Sequence, residues 1–399
     1  YRKGEMSVKL NLREVLDMYD VEPLFNIPAS TIIGEGENKL SYPVNKETIS
    51  GEIDEKNADL DEASEELGFE SEQIFLHGDE RTSWDEVPAM SRSPYYESLL
   101  NGATLYPRPL TMAEVDERTS DWGVTADQPP VKTSSHALET TKSYGDADLS
   151  ANVESEFLYS TLISTDMVPF THRAYRLSVI PATTTSSGHE IINQDQAETG
   201  GYTGLADWLR QANEHWEGKA DRDNISEQLN YRNKVTRQDP TIRYKVLFLA
   251  KGKYMTGCVI DLESDVSGNL PISVNGFIAD HNTYYYETDS ADEAYYLSAF
   301  FNSPLLDEMK RNLQSKGDFD ERDIHKAPLE FPIPDFDPNN SDHQRLADLA
   351  REGERQANEL LPEAEEQYSG IGWIRRSMRG DLSRVRDEID NIVEELLAE

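Results

Sequence analysis

A single cysteine, Cys258, in 399 residues rules out an internal disulfide framework and a cysteine-based zinc site. On its own it reads as a small buried hydrophobe on a strand, not a nucleophile. No stretch approaches the ~20 apolar residues a membrane-crossing helix needs, and no signal-peptide pattern opens the chain. A cytoplasmic protein with no membrane partner is the expectation. Basic residues are scarce: 38 Lys and Arg stand against 76 Asp and Glu, a net charge of −38. The acids are dispersed and not gathered in a tail, as on a surface kept soluble at high salt by hydration and self-repulsion. Disorder is the other outcome of high charge. It is excluded over most of the chain by 37% apolar residues in periodic segments. Residues 45–72 and 132–155, acidic and poor in large hydrophobes, are the expected exceptions.

Catalytic signatures are missing as well. The eight histidines (His77, His136, His172, His189, His215, His281, His325 and His343) show no metal-ligand spacing. There is no G-x-S-x-G, H-E-x-x-H or Walker loop, and Pro334-Asp335 has no Glu-x-Lys after it to make a nuclease signature. Gly34-Glu35-Gly36 lacks the third glycine of a dinucleotide loop and reads as a turn. No catalytic residue, cofactor-binding residue or metal ligand is assigned, and the chain alone is expected to carry out no chemistry.

What the chain does contain is an uneven distribution of its few cations. Between Lys219 and Lys253 nine basic residues (Lys219, Arg222, Arg232, Lys234, Arg237, Arg243, Lys245, Lys251, Lys253) face four acidic ones. A cationic island in an acidic chain is most simply a polyanion-binding surface. Within it, Asn230-Tyr231-Arg232-Asn233-Lys234 interleaves an aromatic ring with cations. Tyr244–Ala250 and Met255–Asp261 read as a strand pair whose Lys251-Gly252-Lys253 tip presents two ammonium groups.

Other elements follow from periodicity. Helices are expected over Leu12–Met18, Asp59–Leu67, Val153–Phe170, Leu205–Trp216 and His343–Gln367. Ser30–Ile33, Tyr175–Pro181, Gly276–Asp280 and Thr283–Glu287 read as strands. The last helix carries Ile374, Met378, Leu382, Val385, Ile389, Val393 and Leu396 on one face, so a long antiparallel hairpin closes the chain after a turn at Gly370-Ile371-Gly372.

The most ordered wording is the 44-residue run Glu293–Phe336. Tyr295, Tyr296, Ala299, Phe300 and Leu306 make an apolar helical stripe that Asn302-Ser303-Pro304 interrupts. Ser315-Lys316-Gly317 supplies a cationic turn, Arg322, His325 and Lys326 a donor-rich face, and Pro332-Ile333-Pro334 an extended edge. That order resembles the target-recognition half of N6-adenine DNA methyltransferases in type II restriction-modification systems. Similar to the same family are VEPLFNIPASTIIGE (Val21–Glu35), Ser93-Pro94-Tyr95-Tyr96 leading to Asn101-Gly102-Ala103-Thr104 and Pro107-Arg108, and the closing IDNIVEELL (Ile389–Leu397).

The resemblance implies an α+β fold: a mixed-sheet target-recognition domain with helical insertions and the C-terminal hairpin. It implies a junction to the catalytic domain over 1–45, an acidic connector with a first β-containing lobe over 46–155, target recognition over 156–340, and the hairpin over 341–399. Together with the dispersed acids it implies a haloarchaeal member whose catalytic domain lies upstream of Tyr1 or on a separate subunit. Methyl transfer requires S-adenosylmethionine and an Asn-Pro-Pro-aromatic motif that holds an extruded adenine. Neither the motif nor a cofactor loop is present here, since Gln128-Pro129-Pro130-Val131 lacks the stacking ring. Double-stranded DNA is the implied partner, with Arg108, Tyr231, Arg232, Lys234, Arg237, Lys251, Lys253, Arg322, His325 and Lys326 as its contacts. Two alternatives stand beside this reading: a non-catalytic DNA-specificity subunit, and an acidic halophilic interaction protein with no DNA role.

Overall fold

The computed structural model describes residues 2–3, 6–7, 11–22, 30–35, 44–53, 66–74, 92–116, 127–185, 188–216, 222–264, 266–310 and 324–398. The chain divides into two compact units, Tyr1–Ser91 with Gln314–Arg322, and Arg92–Leu313 with Asp323–Glu399. Helices and several mixed sheets make the fold α+β. No helix among the described residues is long and apolar enough to cross a membrane.

The first unit holds a four-stranded sheet. In it β1 (Asn11–Glu22) lies between β2 (Ser30–Glu35), antiparallel, and β3 (Val44–Glu52), parallel, and β4 (Gly68–Ile74) adds antiparallel to β3. The helix expected over Leu12–Met18 is therefore a strand. A bulge between Leu12 and Glu14 shifts the two-residue alternation. Apolar residues at 12, 15 and 16 thereby imitate helical spacing inside a ladder paired on both sides. The acidic stretch 45–72 contributes β3 and β4, and the expected 45/46 boundary falls within β3. Most of the helix expected over Asp59–Leu67 lies outside the described residues.

Besides two small two-stranded sheets (Met167–Val168 with Thr171–His172, Ala182–Thr185 with Gly188–Ile191), the second unit has, in chain order, β5 (Leu100–Asn101), β6 (Met112–Val115), β7 (Pro130–Thr133), β8 (Ser150–Asn152), β9 (Leu158–Thr161), β10 (Arg176–Val179), β11 (Tyr244–Leu249), β12 (Gly257–Asp261), β13 (Gly276–Phe277) and β14 (Thr283–Thr288). They form a six-stranded sheet in the order β8-β7-β6-β10-β9-β13 and a four-stranded sheet in the order β12-β11-β14-β5. The six-stranded sheet joins residues from both sides of the expected 155/156 boundary. Residues 132–155, expected to lack a core, bury Ala137, Leu149 and Val153 completely. The helix expected over Val153–Phe170 is instead a series of short 3-10 turns and strands, among them β9, whose four residues are all buried between β10 and β13. A strand covered on both faces reads as a continuous apolar run, which periodicity alone cannot separate from a helix.

Helix α1 (Thr203–His215) covers the six-stranded sheet with Leu205, Trp208, Leu209 and Ala212. The Glu154 carboxylate accepts from the amides of Gly204 (3.0 Å) and Leu205 (2.9 Å) at its start, where the helix dipole favours negative charge. The four-stranded sheet packs in one core with α2 (Ala291–Asn302), α3 (Pro304–Met309), α4 (Ser341–Gln367), α5 (Ile371–Asp381) and α6 (Ser383–Ala398). Helix α4 spans about 40 Å at 1.5 Å per residue. The return arm of the expected hairpin is two helices, because Leu382 (φ −89°, ψ 9°) leaves helical geometry. The apolar stripe continues across the break: Ile374, Met378, Leu382, Val385, Ile389, Val393 and Leu396 are all buried. Cys258 is buried on β12, where burial pushes its thiol up.

Burial also lowers two histidines, His172 and His189, to about 4. Unfolded histidine titrates near 6.5, so the unfolded chain takes up these protons first as pH falls. The stability from keeping both rings neutral is complete above pH ~6.5 and is lost on the way down to about 4. A loss of roughly 1–3 kcal/mol per ring is expected over that window. Urea midpoints measured from pH 7 to 4.5 should fall less steeply for His189→Gln than for the parent chain; identical slopes would refute the assignment.

Candidate nucleic-acid interface

The central cationic segment follows the short helix Ile225–Leu229. Arg232 (φ 58°, ψ 30°) and Asn233 (φ 58°) are both left-handed, a conformation that side-chain-bearing residues seldom adopt. Asn230 supports the turn. Its carbonyl accepts from Asn233 N (2.7 Å), and its side-chain oxygen accepts from Val235 N, Thr236 N and Thr236 Oγ1 at 3.2, 3.1 and 3.2 Å. Arg237 Nη2 donates to the Arg232 carbonyl at 3.1 Å. The Tyr231 ring lies 4.2 Å from the Arg222 guanidinium carbon and 5.1 Å from that of Arg232. Stacking of this kind restricts guanidinium motion while leaving its N–H donors in the ring plane direction.

One residue further on, Lys234 Nζ donates to Asn101 Oδ1 at 2.5 Å. Asn101 sits on β5, and its Nδ2 donates to the carbonyls of His281 (2.8 Å) and Thr283 (3.1 Å). Gly102 lets this strand lie directly against the 279–283 turn. A Cβ at Gly102 would fall 2.4 Å from the Asp280 carbonyl oxygen and 2.5 Å from that of Ala279. The turn itself is closed by buried Asp280, which receives Asn282 N (2.9 Å) and Asn282 Nδ2 (2.6 Å) and lies 3.1 Å from His281 Nδ1. Burial pushes the Asp280 carboxyl up, but the His281 hydrogen bond and charge and the Arg108 charge outweigh it, so the net shift is downward. Arg108 begins a four-residue helix, Arg108–Thr111, after Pro107.

The same end of the four-stranded sheet carries the other predicted cations. Strands β11 and β12 form the expected hairpin, with Phe248 opposite Gly257 and Lys251-Gly252-Lys253 in the exposed connection. Ala250 ties the neighbours together: its amide donates to Asn282 O (2.8 Å), and its carbonyl accepts from Ile324 N (2.9 Å) and His325 N (3.0 Å). His325 is left-handed (φ 42°), exposed, and edge-on to Tyr284 at 6.4 Å. Lys326 Nζ donates to the Tyr96 carbonyl and lies 4.6 Å from the Tyr96 ring, with Arg92 at 4.4 Å from that ring. A chain of hydrogen bonds thus connects Lys234, Asn101, the 281–283 carbonyls, Ala250 and His325.

The charge arrangement in the 232–237 segment departs from the rest of the described chain. Arg210, Arg243, Arg351 and Arg355 each hold two carboxylates. Among the described residues, Arg232 and Arg237 form ion pairs with none, and Lys234 bonds to the neutral Asn101. Lys234 is lowered from its usual range by burial first and then by the charges of Arg232 and Arg237. In a chain with twice as many acids as bases, these like charges are gathered with no ion-paired carboxylate among the described residues, and the charge of Asp280 offsets them at Lys234 only in part.

Other members of the island serve the fold. Lys245 is 1% exposed and meets Gln238 Oε1 (3.1 Å) and Glu287 Oε1 (3.2 Å); Arg243 pairs with Asp261 and Glu263. Lys219 and Arg322 lie outside the described residues. The Glu293–Phe336 run, expected to dock on a partner, is largely scaffold. Tyr296, Ala299, Phe300 and Leu306 are completely buried. Asn302 bridges Phe170 N, Gly257 O and Ser298 O. Ser303 caps α3 and donates to Asp390 of the closing helix at 2.5 Å. Gln128 Nε2 donates to Glu154 and Val131 is fully buried in the sheet, so Gln-Pro-Pro-Val does not fit an adenine pocket. Arg92, Tyr96, Asn101, Arg222 and Asn230 shape the surface but were missed from sequence. Arg222 and Asn230 lay within the cationic island and Tyr96 and Asn101 within the family-like wording, so of these only Arg92 carried no signal.

No family model matches this chain, and no curated protein matches it. Among solved structures it is similar to the Type IIL restriction-modification enzyme MmeI in complex with DNA, at a TM-score of 0.46 and 11% identity over 97% of this chain and 43% of that one. It is also similar to the type IIG restriction endonuclease BpuSI, at a TM-score of 0.31 and 12% identity over 97% of this chain and 44% of that one. The chain spans less than half the length of either protein.

Proposed function

We propose that this chain is the sequence-specific DNA-recognition portion of a restriction-modification N6-adenine methyltransferase. The observation that carries the reading is the trio Arg232, Lys234 and Arg237, which forms no ion pair with a carboxylate among the described residues in a chain of net charge −38. Mutual repulsion among cations costs stability, and a polyanion supplies the missing counter-charge. The hairpin tip with Lys251 and Lys253, the exposed His325 and Arg108 extend the contact surface, while Lys326 is a positioning residue on Tyr96. On this reading S-adenosylmethionine and the methyl-transfer residues belong to a catalytic domain joined in cis or acting in trans. The dispersed acids adapt the remaining surface to a salty, haloarchaeal cytoplasm, where base-edge contacts carry more of the affinity than phosphates do.

Selection of a random-sequence duplex pool on the folded chain in 2 M KCl tests the reading. A single enriched motif is expected, with affinity that changes little between 1 and 2 M salt. Retention of no motif by a chain shown to be folded overturns it.

A further inference from the structure

We infer that Arg232 is the residue that reads a guanine in the major groove, with Tyr231, Asn230 and Arg237 as the residues that position it. This rests on the DNA-recognition reading above and adds which side chain distinguishes one base from the others. Guanine alone offers two acceptors, O6 and N7, spaced for both arms of a guanidinium, and the pairing discriminates only when the guanidinium plane is held in place.

Three independent features hold it. The backbone at Arg232 and Asn233 is left-handed in succession, with Asn230 accepting four hydrogen bonds from residues 233–236 to keep it so. Such strain in residues with side chains persists where the surroundings enforce it, and it concentrates at ligand-contacting positions. Arg237 clamps the Arg232 carbonyl. The Tyr231 ring faces the Arg232 guanidinium and also that of Arg222, so the aromatic platform is itself held from another direction. Among the described residues the exposed Arg232 guanidinium has no hydrogen-bond acceptor, leaving its donors for a ligand. Lys234 and Arg237 differ in this respect. Lys234 spends its ammonium group on Asn101 and acts chiefly through charge, whereas Arg237 spends an Nη2 donor on the Arg232 carbonyl and so positions its neighbour.

The test uses the intact chain, its Arg232→Gln and Arg232→Lys variants, and Lys234→Gln as a charge control. Each is put through the duplex selection and then titrated against the selected site with one guanine at a time replaced by 7-deazaguanine. The parent chain is expected to prefer guanine at one position by roughly 5- to 150-fold and to lose that preference with the 7-deaza base. Arg232→Gln and Arg232→Lys should abolish discrimination at that position alone, even though lysine keeps the charge. Lys234→Gln should weaken all sites evenly. An unchanged motif in both Arg232 variants overturns the inference and leaves the DNA-recognition reading intact. Absence of any motif in the parent chain overturns that reading, and the inference falls with it. Unchanged melting of the exposed Arg232 variants shows that they are folded.

Discussion

Changing Arg232, Lys234 and Arg237 together to glutamine should weaken duplex binding about a hundredfold near 0.15 M salt and flatten its salt dependence. Each cation that displaces a counterion from B-DNA contributes about 0.9 to the slope of log affinity against log salt, so three removed contacts lower it by about 2.7. The same replacement should leave the fold as stable as before or slightly more so. Lys234 is half-buried, and its charged form is opposed first by burial and then by Arg232 and Arg237. Removing the trio ends that repulsion at the loss of two hydrogen bonds, from Lys234 to Asn101 and from Arg237 to the Arg232 carbonyl. Fluorescence anisotropy against a labelled duplex at several salt concentrations, with thermal melting alongside, separates the two effects. Lost binding with a parallel drop in melting temperature would assign the cations to the fold, and unchanged binding would remove them from the interface.

Gly102→Ala should be the most damaging small substitution near the interface. The added Cβ would sit 2.4 and 2.5 Å from two backbone oxygens, those of Asp280 and Ala279. Neither can rotate away as a side-chain end could. The Gly102 amide donates to Thr283 O (3.1 Å), Ala103 N to Ala279 O (2.7 Å) and His281 N to Ala103 O (2.8 Å), so the two segments can part only by breaking this ladder. A loss of about 3 kcal/mol or more is expected, read as a lower urea midpoint. DNA affinity should fall as well under conditions where the variant is still folded, because Asn101, the anchor of Lys234, is displaced with its neighbour. Gly372→Ala provides the contrast: nothing lies within 4 Å of that position, and alanine in a helix is favoured over glycine by up to about 1 kcal/mol. Equal midpoints for Gly102→Ala and the parent chain would refute the close approach.

Legibility from sequence followed how local each feature is. The Leu205–Trp216 helix and the two outer helices of the C-terminal group were readable because each has one apolar face and one wet one, and the Tyr244–Asp261 hairpin because two short apolar runs, buried almost throughout, flank a Lys-Gly-Lys tip. Leu12–Met18 and Val153–Phe170 were misread for opposite reasons. A bulge counterfeited helical spacing in the first, and burial on both faces removed the alternation in the second. The island was also half legible. Its location stood out by charge alone, yet Arg243 and Lys245 lie in the same sequence window as Arg232 and Lys234 and have structural partners.

The sequence by itself determined the acidic surface, the place of the cationic island, the hairpin that carries Lys251 and Lys253, and the absence from this chain of a methyl-transfer motif. Composition and short-range periodicity suffice for those. Only the tertiary structure decided which cations, among the described residues, form no ion pair with a carboxylate, and that the described part of the Glu293–Phe336 run is largely buried while His325 is exposed. It also placed Asn101, far from the island in sequence, under Lys234. Tertiary contacts join residues as far apart as 87 and 240 positions, as in the hydrogen bonds of Ser303 with Asp390 and Ser93 with Ile333, and no local pattern in a single sequence encodes such pairs.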